Sequence, residues 1–191
     1  MKTKSNVFVC LLMGLMLMFT SSCQKDADPD PEPQTISDEN FYGQIGGALV
    51  RCYNDIYNQN LAGKPTGAQN ITANGPMGGT VVITGSDSFD DTHGITSTNL
   101  IFTMTNVNYT LTTTTTSGKS CITHVTLTGA TTHTGSFSDS YTSVNHQSEN
   151  IHIVGSVTFD GTTRNIDQTG EVSINRSSTT SVNIFGYVVA W

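Results

Sequence analysis

Four residues within seven positions bring together ligand-type side chains: Asp87, Asp90, Asp91 and His93. Three carboxylates and an imidazole could hold a hard cation such as calcium, which takes oxygen ligands from carboxylates and loop carbonyls. Their spacing fits neither an EF-hand loop nor a zinc pattern. Gly85, Ser86, Ser88, Thr92 and Gly94 surround them. The expectation is a polar hairpin loop with at most a weak calcium site that staples it, and otherwise no cofactor.

The remaining chemistry is sparser. Of the five histidines, His93, His124, His133, His146 and His152, none falls in a ligand spacing. His124 and His152 lie out of phase with the apolar alternation around them, so a solvated face is expected. Glu149 with Asp160 or Asp167 would form a glycosidase pair only if the fold placed them at catalytic separation. There is no G-x-S-x-G elbow, no H-E-x-x-H and no P-loop. Serine and threonine are too frequent for one to stand out as a nucleophile. No catalytic residue is assigned.

Cys52 and Cys121 follow the N-terminal region. In an oxidising compartment they can pair, closing a loop of about 70 residues and stabilising by about 4 kcal/mol on the chain-entropy model. The alternative is two separate small core residues.

The elements that must position these groups are one helix and a run of strands. Phe41, Ile45, Ala48, Leu49, Cys52 and Ile56 recur at three- and four-residue spacing, predicting an amphipathic helix over 38–60. Ser37 suits its cap, and Asp38 and Glu39 suit its positive end. Gly63 and Pro65 stop it. Gly46 and Gly47 weaken its middle and would let a strand approach closely.

Residues 63–79, rich in Gly, Pro, Asn and Thr, read as an irregular connection. From Thr80 the apolar period becomes two. Strands are predicted at 80–84, 100–105, 107–111, 121–128, 151–159, 164–167, 171–175 and 181–191. The phase slips by one residue between Met104 and Val107, which predicts a bulge near Asn106. Thr112–Thr116 reads as a strand end or exposed loop. About eight strands without intervening helices imply an antiparallel meander. The expected fold is mainly β: a curved antiparallel meander with the N-terminal helix packed on its apolar face, or alternatively a two-sheet β-sandwich.

The N-terminus has its own logic. Lys2 and Lys4 precede an apolar run from Val7 to Phe19 that is too short to span a bilayer. Thr20-Ser21-Ser22-Cys23 follows. Charged start, short apolar run and small residues before a cysteine resemble the signal peptide and lipobox of bacterial lipoproteins. Thr20 stands where that family usually has leucine. The resemblance implies cleavage before Cys23 and a lipid on its thiol. Gln24, Lys25, Asp26, Ala27 and Asp28 resemble the acidic export signal of Bacteroidota-type surface lipoproteins. That implies a lipid-anchored protein of the outer membrane facing the cell exterior. Asp28-Pro29-Asp30-Pro31-Glu32-Pro33 is an extended, self-repelling linker. The organisation is a signal peptide at 1–22, an acidic, proline-rich tether at 23–36 and one mainly β domain at 37–191.

After cleavage the chain carries 6 Lys+Arg against 15 Asp+Glu, a net charge of −9. That argues against nucleic acid or an anionic lipid surface as an electrostatic partner. Membrane association is expected through the lipid alone. Tyr187, Val189 and Trp191 alternate, as in the last strand of an outer-membrane barrel. The outward positions of the other strands are Thr, Ser, Asn and His, and do not make a lipid-facing belt. Exposed aromatics such as Tyr141 are isolated in sequence.

Three functions remain: a non-catalytic binding or structural module with an unknown surface partner or glycan, as the resemblance implies; a carrier of an apolar ligand between helix and sheet; and a metal-dependent enzyme centred on Asp87–His93.

Overall fold

A single helix, α1 (Asp38–Leu61), comes first in the computed structural model. The structure describes residues 35–190 apart from 62, 64, 65, 91, 93, 94, 115–117, 138–143 and 177–179. Cys23, Gln24, Lys25, Asp26, Asp28, Pro65, Asp91, His93, Tyr141 and Trp191 therefore lie outside the described residues. At the start of α1 the Ser37 carbonyl accepts the Phe41 N–H, and the Ser37 hydroxyl accepts the Asn40 N–H at 3.3 Å. This is the expected cap.

Eight strands follow: β1 (Gly67–Asn74), β2 (Thr80–Asp90), β3 (Ile95–Thr114), β4 (Ser120–Phe137), β5 (Asn145–Phe159), β6 (Thr162–Arg176), β7 (Thr180–Ile184) and β8 (Tyr187–Ala190). They form one antiparallel sheet in chain order, with β1 and β8 at its edges. The meander with one packed helix is thus the architecture, and a second sheet is not present among the described residues.

The core lies between α1 and the inner face of the sheet. From α1 come Phe41, Ile45, Leu49, Cys52, Tyr53 and Ile56; from the strands come Val81, Ile83, Leu100, Phe102, Met104, Leu127, Ile153 and Val182, all essentially buried. Between Phe41 and Tyr57 only Arg51 falls in the exposed class. A helix buried on nearly every side needs partners around its circumference. It packs on β3, β4, β5, β7 and β8, so the sheet curves around it. The expected close approach at Gly47 is not required: a Cβ there would meet the Leu111 side chain of β3 at 3.5 Å, an ordinary contact distance.

Several strands differ from the sequence reading. β1 lies in the segment expected to be irregular; it is a polar edge strand, GAQNITAN, without an apolar face to betray it. The two predicted strands at 164–167 and 171–175 are one strand, β6. The segments at 100–105 and 107–111 are likewise one strand, β3. Its register slips between Met104 and Val107, and Asn106 takes a left-handed φ of 50° there. The expected bulge is therefore present.

Candidate functional site

The group expected as a polar loop is divided by the fold. β2 continues to Asp90 and β3 begins at Ile95, so Asp87 and Asp90 are strand residues. Three residues apart on one strand, they point to opposite faces. Asp90 is exposed and accepts the Thr92 N–H at 2.9 Å. Asp87 faces α1 and is 2% exposed. Tyr57 of α1 donates to its Oδ2 at 3.2 Å, and Thr98 of β3 donates to its Oδ1 at 2.5 Å. Burial raises the Asp87 carboxyl above the usual range, and the two donors partly hold it back. Burial and the neighbouring carboxylate also raise the Tyr57 phenol. The pair therefore joins helix to sheet instead of offering Asp87 to a ligand shared with Asp90. Among the described residues, no cluster of three or more His, Cys, Asp or Glu is placed to hold a metal ion.

A second polar contact lies on the same inner face. His133 of β4 and His146 of β5 are register partners, and both are buried. Their Nδ1 atoms are 2.6 Å apart. One ring must donate there and the other accept, which requires at least one neutral histidine. Burial, followed by the Arg176 charge, lowers His146 from 6.5 to about 3. Burial, then His146, lowers His133 well below its usual value. The Tyr53 ring stacks on His146 at 5.0 Å and meets His133 edge-on at 5.1 Å, while Phe102 covers His133 at 3.8 Å. The Tyr53 hydroxyl shares a hydrogen bond with Thr131 at 3.2 Å. A buried polar group without such partners would cost roughly 1–3 kcal/mol, so this arrangement reads as cohesion of the core.

Cys52 and Cys121 are both buried, and the structure holds each as a free thiol. Burial raises both thiols. A raised thiol holds little of the thiolate that would act as a nucleophile. His124 is exposed and His152 partly so, as expected. The fold does not set Glu149 opposite Asp167: Asp167 faces Val154, five residues along β5 from Glu149, which puts the two backbones roughly 16 Å apart. Asp160, in the turn after β5, is farther still.

The outer face is built differently. Its rows are hydroxyls, amides and imidazoles already bonded across strands. The Thr126 hydroxyl donates to Asn108 Oδ1 at 2.8 Å, Thr110 meets His124 at 2.8 Å, Thr158 meets Thr163 at 2.9 Å and Ser97 meets Ser136 at 3.1 Å. Asp167 is engaged by His152 at 2.8 Å. Ile101 and Val154 are single exposed apolar residues on this face. Cross-strand pairs of this kind fix rotamers and leave an ordered, largely uncharged polar surface.

At the helix–sheet boundary, Ile36, Asn40, Gln44, Cys121, Val157 and Phe159 line a crevice of about 100 Å³. Ligand pockets usually hold at least about 300 Å³, so this crevice does not admit a fatty chain. No protein-family model matches this sequence, and comparison with curated proteins and with solved structures returns no similar chain.

Proposed function

We propose that this chain is a lipid-anchored binding or structural module of the bacterial cell surface that acts without catalysis. The observation that carries the binding role is the outer face of the sheet, an ordered array of uncharged hydroxyl and amide groups on a chain whose mature net charge is −9. Such a face favours a neutral polar partner and disfavours polyanions. The buried placement of Asp87, His133 and His146 supports a structural role for the residues that otherwise suggest chemistry. The anchor and surface location rest on the N-terminal resemblance, with Cys23 as the lipidated residue and Gln24, Lys25, Asp26 and Asp28 as the export signal.

The carrier reading asks for an enclosed cavity under α1; the crevice at Cys121 and Val157 holds about 100 Å³, and the larger groove of about 370 Å³ beside Gly47, Arg51 and Leu111 lies open to solvent. The metal-enzyme reading asks Asp87 and Asp90 to converge, and they diverge.

A lysine scan of the outer face tests the proposal. Thr110→Lys and Thr126→Lys are expected to abolish retention of the lipid-free domain on cell-envelope polysaccharide without lowering its melting temperature by more than a few degrees. Retention unchanged by both substitutions would contradict a binding role for this face.

A further inference from the structure

Besides the bulge at Asn106, the sheet is interrupted where β4, β5 and β6 run side by side. Between β4 and β5 the register lapses from Thr128–His152 to Thr132–Gln147. Between β5 and β6 it lapses from Ser148 to Ile151. Glu149 and Asn150 therefore have register partners on neither side, and both are exposed. Gly129 lets β4 run close beside them: its φ is 134°, and a Cβ there would sit 2.7 Å from the Asn150 carbonyl oxygen. Bulges of this kind re-aim side chains and are frequent beside functional sites.

The break forms a depression of about 430 Å³ lined by Ala130, Thr132, Gln147, Ser148, Glu149 and Asn150. We infer that this depression is a subsite for a neutral, polyhydroxylated ligand of the saccharide type, an assignment that rests on the binding-module reading above. The side amides of Gln147 and Asn150 each offer donors and an acceptor, Glu149 offers acceptors, and Thr132 offers both. Vicinal hydroxyls, each donor and acceptor at once, match that set. No Lys or Arg lines the depression, so an anionic ligand would meet Glu149 without a counter-charge. One carboxylate falls short of the roughly six to eight oxygens with several charges that hold calcium. The uncharged rows beside the cleft would let a longer chain extend along the sheet. With few contacts and wide exposure, a Kd on the order of 1 mM is expected for a short oligomer.

Amide NMR on residues 23–191 carrying Cys23→Ala provides the test. The probes are neutral hexasaccharides of glucose, mannose and xylose, with oligogalacturonate and calcium chloride as separate arms. Shifts at 128–132 and 147–152 are expected with at least one neutral hexasaccharide and not with oligogalacturonate. Gln147→Ala and Glu149→Ala should each weaken that binding by about tenfold while the remaining spectrum is preserved. Silence with every neutral hexasaccharide would overturn the subsite. So would shifts produced by calcium alone, which would make it a cation site. Shifts confined to other parts of the sheet would overturn the subsite and leave the binding-module reading standing.

Discussion

His133 and His146 face each other across β4 and β5 with their Nδ1 atoms 2.6 Å apart, sealed between the rings of Tyr53 and Phe102. The pair is stable in this position only while it sheds protons. In the unfolded chain both imidazoles titrate near 6.5, whereas in the fold His146 titrates near 3 and His133 far below its usual value. Between those values the unfolded state binds more protons, so stability rises with pH. It is fully present above about 6.5 and is lost as pH falls toward about 3. Unfolding free energies from urea titrations between pH 7 and pH 4 should fall by up to roughly 1.4 kcal/mol per pH unit for each histidine. Replacing both by leucine should flatten that slope; a slope unchanged in the double variant would show that other groups carry it.

Asp87 sets a second expectation with the opposite pH trend. Its folded-state pKa is raised, so its ionised form at neutral pH depends on Tyr57 and Thr98. Tyr57→Phe removes one donor and should cost about 1–3 kcal/mol at pH 7. The loss should shrink as pH falls through the raised Asp87 pKa, because the carboxyl becomes neutral. Asp90→Asn, on the exposed face of the same strand, should stay within about 0.5 kcal/mol. Equal losses for the two variants in chemical denaturation would remove the distinction between buried and exposed carboxylates.

The helix is the central pillar of the fold. Ile45 and Leu49 are fully buried, and truncating either to alanine should cost about 2–5 kcal/mol. A chain lacking 38–61 should expose the inner face of the sheet and aggregate. A soluble, cooperatively melting fragment without the helix would show that the strands bury their own core.

Gly155 tests the closeness of two strands. It lies opposite Val125, and a Cβ on it would overlap the His124 carbonyl oxygen of β4. The nearest atoms are all β4 backbone, which leaves no flexible group to yield. Gly155→Ala should therefore destabilise by about 2–4 kcal/mol and weaken amide protection along 121–128. Gly161→Ala, which meets no atom nearby but sits at a φ of 79°, should cost less, about 1–2 kcal/mol. The reverse order in thermal melts would count against this register.

How much of this was legible in the residues follows from where polarity and period agree. The helix showed itself through Phe41, Ile45, Leu49, Cys52 and Ile56, and the bulge at Asn106 through a one-residue slip of phase. The inner ends of β4 and β5 did not, because Thr131, His133, His146 and Ser148 are buried polar residues, and a polar inward row next to a polar outward row leaves no alternation. β1 escaped because Ile71 and Ala73, which pack against the core, are only partly buried and too few to mark an apolar face. Asp87 looked like a loop ligand because its neighbours are glycine and serine; nothing local announces that Tyr57, thirty residues earlier, bonds to it. The break at Glu149–Asn150 depends on the registers of three strands, which no single segment reveals.

The central claim, an acylated module displayed on the cell, is tested most directly by palmitate labelling of growing cells followed by protease treatment of the intact cells. The native chain should carry label, fractionate with membranes and be cleaved from outside. Cys23→Ala should lose the label and the membrane association together, since stable anchoring needs the acyl chains at about 0.8 kcal/mol per buried methylene. Label retained on the Cys23→Ala chain, or a native chain that is never labelled, would contradict the account.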